Sequence, residues 1–377
     1  MATTSSGSLG VTPTPAPAPK KEEASFARDL VKSINDKNAT VLSDGLNSSE
    51  TSGWIDTGSY ILNALISGSI FGGMPDNKIL GLAGESATGK TFFALGIMRS
   101  FLEQFPKSII AHSDTESATT KAMMESRGID PTRVIINEPP TIERFRSRAF
   151  KTLESYKDAK NPPRMMMVLD SLGNLSTEKE VNDIGEEKDV RDMTRTQLIR
   201  GAFRVLTLKL AKVNVPMIVC NHTYQTMDMY SPDQMSGGGG LKYAASTILF
   251  LTKAMDRDGM NVVGSIISCT TAKSRFTREK VKVKVKLNHK TGLDRYYGLL
   301  ELAEKYGIFE KSGNQFIIDG KKRFGKYIDN NPEKFYTEDV LRQLDEAAAT
   351  EFLYGNDTDE DNEAQEGLEE MESEDLK

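Results

Sequence analysis

The sequence predicts an α/β domain built on a mostly parallel, twisted sheet flanked by helices. Three observations carry this. From Trp54 to Tyr306, short apolar runs alternate with longer amphipathic stretches, the pattern of strand–helix units. Within that pattern a glycine-containing turn at 84–91 separates an apolar run from a helix-forming one, as phosphate-binding α/β folds place it. Strand-like segments then follow one another from Thr247 to Leu287, which adds an antiparallel edge.

The elements are expected in this order. Residues 1–24 are rich in Ala, Thr, Ser and Pro and read as a disordered arm, because such a composition buries too little apolar surface to offset ordering. A helix follows from Ser25, with Phe26, Leu30, Val31 and Ile34 on one face. That stripe needs a cover, on its own domain or on a neighbouring subunit, so Phe26 and Leu30 are candidate interface residues within a helix-and-linker segment, 25–53. The core, 54–306, has expected strands at Ile79–Ala83, Ser108–His112, Met165–Asp170, Met217–Asn221, Thr247–Thr252, Ser265–Thr271 and Val281–Leu287. Its expected helices are Thr91–Gln104, Lys121–Arg127, Ile142–Asp158 and Arg191–Val213. Residues 307–354 read as a small helical appendage, and 355–377 as a disordered acidic tail.

Bulk properties narrow the class. With 377 residues, 38% hydrophobic and 27% charged, the chain can bury a substantial core. No apolar run approaches the ~20 residues needed to span a bilayer, and no apolar core follows a basic segment at the N-terminus, so neither a membrane span nor a secretory signal is expected. Cys220 and Cys269 lie in apolar, strand-like runs; they read as reduced, buried thiols of a cytoplasmic protein and argue against a cysteine metal site. The net charge of −6 is uneven. Twelve acids against one base from Glu351 to Lys377 carry −11, which leaves +5 on the rest. A mildly basic body is compatible with a polyanionic partner without demonstrating one.

The chemistry begins at Gly84-Glu85-Ser86-Ala87-Thr88-Gly89-Lys90-Thr91, a full match to G-x-x-x-x-G-K-[ST]. Glycines let backbone N–H groups converge on phosphates, and the following helix N-terminus adds a positive dipole end. Lys90 is expected to reach the terminal phosphates of ATP and Thr91 to place its hydroxyl on Mg²⁺. Asp170, closing the apolar run Met165–Leu169, is a candidate second metal ligand. Glu116, at the end of a third expected strand, can serve as a general base for water; by position alone it reads more readily as a solvated loop acid.

Two loops suggest nucleic acid. After Met217–Asn221 come His222, Tyr224 and a long aperiodic stretch ending in Gly237, Gly238, Gly239 and Gly240. Its glycines can admit phosphates and its aromatic and thioether side chains can pack on bases; a flexible lid over the nucleotide is the competing reading. The second, 176–190, is acidic, so Arg191 and Arg195 beyond it are the better phosphate partners, while Arg200 reads as solvated helix face.

In series these segments resemble the RecA-family strand-exchange recombinases, and more closely the UvsX recombinases of tailed phages. The carriers are Asp56-Thr57-Gly58-Ser59, the phosphate loop, Asp114-Thr115-Glu116, Leu169-Asp170-Ser171-Leu172-Gly173-Asn174-Leu175, Asp192-Met193-Thr194-Arg195, Asn221-His222-Thr223-Tyr224, Gly237–Tyr243 and Lys273-Ser274-Arg275. The resemblance covers about 54–306 and implies a RecA-like P-loop ATPase core. It implies Glu116 as catalytic base, Asp170 as the Walker B acid, and His222 as a sensor passing the γ-phosphate state to the DNA loop. Lys273 and Arg275 match a basic pair that reaches the neighbouring subunit's ATP, and Tyr243 an interface aromatic. Met123 stands where relatives often stack an aromatic ring on adenine, and the proline-rich arm is unlike the short leader usual in the family. The implied activity is DNA-stimulated ATP hydrolysis in homologous strand exchange, by a helical filament on single-stranded DNA that samples homologous duplex DNA. A single-stranded-DNA-binding protein and a recombination mediator are the implied accessory partners. The alternatives are a hexameric helicase or motor of the same fold, and a non-catalytic ATP-binding mediator.

Overall fold

The computed structural model describes residues 21–36, 39–44, 50–185, 194–224, 234–236, 239–258, 261–288 and 292–355. The chain divides into two units, residues 1–50 and 51–377. The arm before Lys21 and the acidic tail after Gly355 lie outside the described residues. In the first unit, helix α1 (Lys21–Ile34) begins inside the segment read as arm, because Lys21 to Ala24 are all good helix formers. Arg28 pairs with Asp44 at 2.6 Å, tying the helix to the turn Leu42–Asp44. Phe26, Leu30 and Ile34 are exposed on one face.

The second unit is organised by one sheet. A short ribbon, β1 (Trp54–Ile55) and β2 (Met74–Pro75), flanks helix α2 (Tyr60–Ser67). The central sheet comprises β3 (Ile79–Gly84), β4 (Ile109–Asp114), β5 (Val134–Asn137), β6 (Met165–Asp170), β7 (Met217–Tyr224), β9 (Thr247–Asp258), β10 (Asn261–Ser274), β11 (Lys282–Asn288) and β12 (Gly292–Leu293), with β8 (Gln234–Met235) paired to the end of β7. Strand order is β12-β11-β10-β9-β3-β7-β6-β4-β5. Pairings from β9 to β5 are parallel, and those from β9 to β12 antiparallel. This is the expected mostly parallel sheet with an antiparallel edge.

The two-residue period of the strands divides the core. Leu80, Leu82, Met166, Val168, Ile218 and Cys220 join one cluster with α2 and α3 (Lys90–Gln104). Their neighbours Ile79, Ala83, Met165, Met167, Leu169, Met217 and Val219 face the other, under α5 (Ile142–Asp158) and α7 (Arg195–Lys212). Both faces are therefore covered, which explains why β3 and β6 read as unbroken apolar runs. Four parallel strands, β3, β4, β6 and β7, end on one sheet edge, where open α/β sheets hold ligands.

Three expectations change. Residues 178–185, taken as loop, form α6 (Glu178–Gly185), and the unforeseen β5 forms the sheet's outer edge. The region 307–354 is not only helical, nor an appendage. After α9 (Leu299–Lys305), strands β13 (Glu310–Ser312), β14 (Gln315–Ile318) and β15 (Lys321–Phe324) form a meander. The Asp319-Gly320 turn between β14 and β15 has both φ positive, 51° and 71°, as a two-residue primed turn requires. Helices α10 (Gly325–Asp329), α11 (Pro332–Phe335) and α12 (Glu338–Phe352) follow. Leu341, Leu344, Ala348 and Phe352 of α12 belong to the same apolar cluster as α2 and α3, so this region completes the main core. Each buried leucine or phenylalanine among them contributes roughly 1.5–3 kcal/mol.

Candidate active site

The phosphate loop leaves β3 at Gly84 and enters α3 at Lys90. Gly84 has no room for a side chain, since a Cβ would lie 2.7 Å from the Leu251 carbonyl oxygen. Gly89 takes φ 95°, a left-handed conformation that glycine adopts without strain. Lys90 is buried; its ammonium donates to Gly84 O at 2.9 Å and Glu85 O at 2.7 Å and lies 3.4 Å from His222 Nδ1. Burial lowers its pKa, against the opposing pull of Asp170 and Glu116.

Two carboxylates, Asp170 and Glu116, act on it, and a third, Asp114, lies level with Asp170. Asp114 and Asp170 end the parallel neighbours β4 and β6 at the same level. Asp170 is buried, which raises its pKa, while a hydrogen bond from Thr91 acts in the opposite direction. A buried carboxylate beside the loop's own threonine hydroxyl is a donor set that suits a hard cation such as Mg²⁺. Asp114 is committed to structure: it accepts from Glu116 N at 3.0 Å and Thr119 N at 2.8 Å, folding the turn that presents Glu116. Glu116 Oε1 accepts from Ser171 Oγ at 2.9 Å and contacts His222 Nε2 at 3.0 Å. With Lys90 facing Nδ1, the partners assign the proton to Nε2.

Glu116, Asp170 and His222 line a cavity of about 340 Å³ together with residues 86–91 of the phosphate loop, Phe92, Lys253, Ser265 and Leu287. A larger cavity of about 510 Å³ lies on the Arg99 side of α3, beside the Asp56–Arg295 ion pair. It contains none of the phosphate loop, so the smaller cavity is the candidate nucleotide site. Met123 sits half-buried in α4 (Lys121–Glu125) against the core and does not line the smaller cavity. Phe92 does, with the Arg127 guanidinium 4.0 Å from its ring centroid.

The residues expected to meet DNA divide. Arg191, Gly237 and Gly238 lie outside the described residues. Tyr224 is half-exposed at the end of β7. Arg195 instead donates to Leu175 O at 3.1 Å and Gly173 O at 2.7 Å, pinning the turn after β6. Gly239 precedes α8 (Gly240–Ala244). A Cβ on Gly240 would stand 2.8 Å from Ile199 Cγ2 and 3.1 Å from Arg200 N, so this glycine serves close packing on α7 in place of an open phosphate cradle.

Lys273 and Arg275 sit on the opposite sheet edge. Lys273 pairs with Ile248, itself level with Gly81, and Arg275 N bonds Ser246 O beside Ile79. Arg275 is exposed. Lys273 donates to Lys242 O at 2.6 Å and Ala245 O at 2.9 Å, holding the carbonyl end of α8; burial and Arg275 lower its pKa. Tyr243 is 70% exposed, with the Arg200 guanidinium 5.6 Å from its ring.

Sequence reasoning did not find Ser171, Phe92 or Lys253. Ser171 follows Asp170 directly, and Lys253 lies past the end of the strand expected there; that strand runs further than its apolar stretch. Among the described residues no helix is long and apolar enough to cross a membrane.

Comparison with known proteins bears on the same stretch. Residues 29–294 match the family model for the RecA N-terminal domain. The Recombination and repair protein of Enterobacteria phage T4 is 34% identical over 254 residues, covering 67% of this chain and 64% of that protein, under two thirds of its length. Protein RecA of Brucella canis is 26% identical over 319 residues, covering 81% of this chain and 84% of its own. The crystal structure of the RadB recombinase superposes at a TM-score of 0.46 with 20% identity, over 64% of this chain and 99% of that one, too distant to bear on the site.

Proposed function

Since the chain belongs to the RecA family, we propose that it is an ATP-dependent recombinase that assembles as a helical filament on single-stranded DNA and exchanges strands with a homologous duplex. The observation that carries the reading is the division of the catalytic groups. Lys90, Thr91, Glu116, Asp170 and His222 gather on one edge of the sheet, while Lys273 and Arg275 stand on the other.

ATP would bind between adjacent subunits. The backbone N–H groups of the phosphate loop and Lys90 would hold its phosphates. Thr91 and Asp170 would hold Mg²⁺, which supplies charge neutralisation at the β- and γ-phosphates. Glu116 would accept a proton from the attacking water through Oε2, since Oε1 is already occupied by Ser171 and His222. ADP and phosphate would leave. Arg275, with Lys273, would project from the next subunit and stabilise the charge developing on the γ-phosphate. A head-to-tail interface of this kind does not close on itself and generates an open filament.

His222 lies two residues before Tyr224 on β7. A change at the γ-phosphate would reach His222 through Lys90 and Glu116, and pass along β7 to the segment that would grip DNA. Contacts would be to backbone and base faces, so binding should be salt-sensitive and tolerant of sequence. A single-stranded-DNA-binding protein and a mediator would govern loading in the cytoplasm. The deciding experiment is strand exchange with homologous and heterologous duplexes. ATP-dependent product from the homologous duplex alone is expected. Filaments without homology-dependent exchange would reduce the protein to an ATP-dependent DNA binder, and rings would favour a motor.

A further inference from the structure

The antiparallel edge of the sheet comes close to the phosphate loop at one side chain outside the G-x-x-x-x-G-K-[ST] pattern. Ala83 pairs with Phe250, the last pair between the two strands; β3 stops one residue later, at Gly84, while β9 continues through Leu251 and Thr252 to Lys253 and beyond. Because Gly84 packs directly on Leu251, the loop folds along this overhang. Lys253 Nζ reaches the Ala87 carbonyl oxygen at 3.3 Å, at the residue that takes left-handed φ 61°. Lys253 lines the 340 Å³ cavity with Lys90, Thr91, Glu116 and Asp170. It also lines an adjoining space of about 430 Å³ with Glu85 and Met255. Among the described residues lining the first cavity, Lys90 and Lys253 are the only lysine or arginine side chains.

We propose that Lys253 is a second phosphate-binding cation of the nucleotide site, supplied by the same subunit. The assignment rests on the nucleotide reading above. Lys90 is buried and donates to two carbonyls of its own loop, whereas Lys253 is exposed and holds Ala87 through a long contact to a neutral acceptor. An ammonium has three donors, and a charge-assisted bond to a phosphate oxygen is shorter and stronger than one to a carbonyl. A polyphosphate entering the cavity therefore draws Lys253 from Ala87 or shares it. The lysine then contacts the phosphate chain from the β9 side, opposite the carboxylates. Its strand position makes this possible: Lys253 pairs with Ile267 of β10, so its backbone is held on the side away from β3 while its side chain extends over the loop.

The test is equilibrium binding of a fluorescent ADP analogue to the full-length protein with Mg²⁺ and without DNA, followed by displacement with inorganic pyrophosphate. Lys253→Met is expected to weaken binding of the analogue about ten-fold, equivalent to about 1.4 kcal/mol. It should weaken pyrophosphate by the same factor, while Lys253→Arg stays within about two-fold of wild type. Lys253→Gln, which keeps a donor but no charge, should behave as Lys253→Met and guards against a folding defect peculiar to one variant. Unchanged analogue binding in Lys253→Met and Lys253→Gln overturns the proposal. So does weakened analogue binding with unchanged pyrophosphate affinity, which would put the effect away from the phosphates. A wild-type protein that binds neither probe overturns the nucleotide reading itself, a different failure.

Discussion

Replacing Arg275 with alanine should abolish turnover without touching nucleotide affinity, and its loss should be repairable by a neighbour. Arg275 is level with Ile79, so the strand separates it from Gly84 by about 16 Å at ~3.3 Å per residue. Two strand spacings across β9 and β10 add to that. A guanidinium cannot cross such a distance to its own cavity. If Arg275 serves the next subunit, Arg275→Ala should lower DNA-stimulated ATPase by roughly 10²–10³-fold, the loss seen when one transition-state donor is removed. Binding of a fluorescent ADP analogue should stay within about two-fold. Now mix Arg275→Ala with Lys90→Ala, each inactive alone. In a random one-to-one filament, about a quarter of interfaces join an intact phosphate loop to an intact arginine. The mixture should therefore recover about a quarter of the wild-type rate, by a phosphate-release assay on single-stranded DNA. Arg275 is cleaner to remove than Lys273, whose ammonium also holds α8. No recovery on mixing, or an ADP affinity that collapses in Arg275→Ala, would refute the two-subunit site.

Other outcomes follow from particular contacts. Glu116→Gln should keep the bonds from Ser171 and His222 but remove the base, lowering ATPase about 10²–10⁴-fold with nucleotide affinity nearly unchanged; equal rates in variant and wild type would remove Glu116 from the mechanism. Gly240→Ala must push Ile199 or the α7 backbone aside and should cost about 1–3 kcal/mol, read as a melting temperature several degrees lower; an unshifted melt would show that this packing yields freely. Deleting 356–377 should strengthen duplex-DNA binding at moderate salt, by removing competing acids; unchanged binding would count against that competition. The cut belongs after Gly355, because Glu351 bonds Lys305 at 2.7 Å and Tyr306 at 2.8 Å and Phe352 is buried.

The parts legible in the sequence were those whose signal is local. The phosphate loop announces itself by spacing, and Met165–Asp170 could be delimited because every residue in it is buried. Helix α6 was missed because its acids suggested an exposed loop. Yet Thr177 and Glu180 form a reciprocal capping box, with Thr177 N to Glu180 Oε2 at 2.9 Å and Glu180 N to Thr177 Oγ1 at 3.0 Å, a readable T-x-x-E signal. The meander at 310–324 also carried its sign, Asp319-Gly320, which the short polar strands around it obscured. Other features had no local signal. That Asp114 folds a turn while Glu116 faces the cavity depends on the order of β4, β6 and β7. That Gly240 is a packing glycine, and Arg195 a brace for residues 173–175, depends on where α7 lies. Lys253 was hidden by strand length: β9 runs on past its apolar stretch, and only the overhang brings the lysine to the loop.

The placement of Arg275 and the phosphate loop at opposite edges of one sheet would have a consequence for a growing polymer. Stacked in one direction, such subunits leave the two tips chemically unlike. One tip would present an exposed Arg275 with no nucleotide to meet. The other would present a loaded cup that no neighbour completes. The subunit at that second tip would retain its ATP while those behind it turn over, so it would act as a slow-hydrolysing cap. Disassembly should then begin at the other tip or in the interior, and the directionality of the polymer would be set by the length of a β-strand.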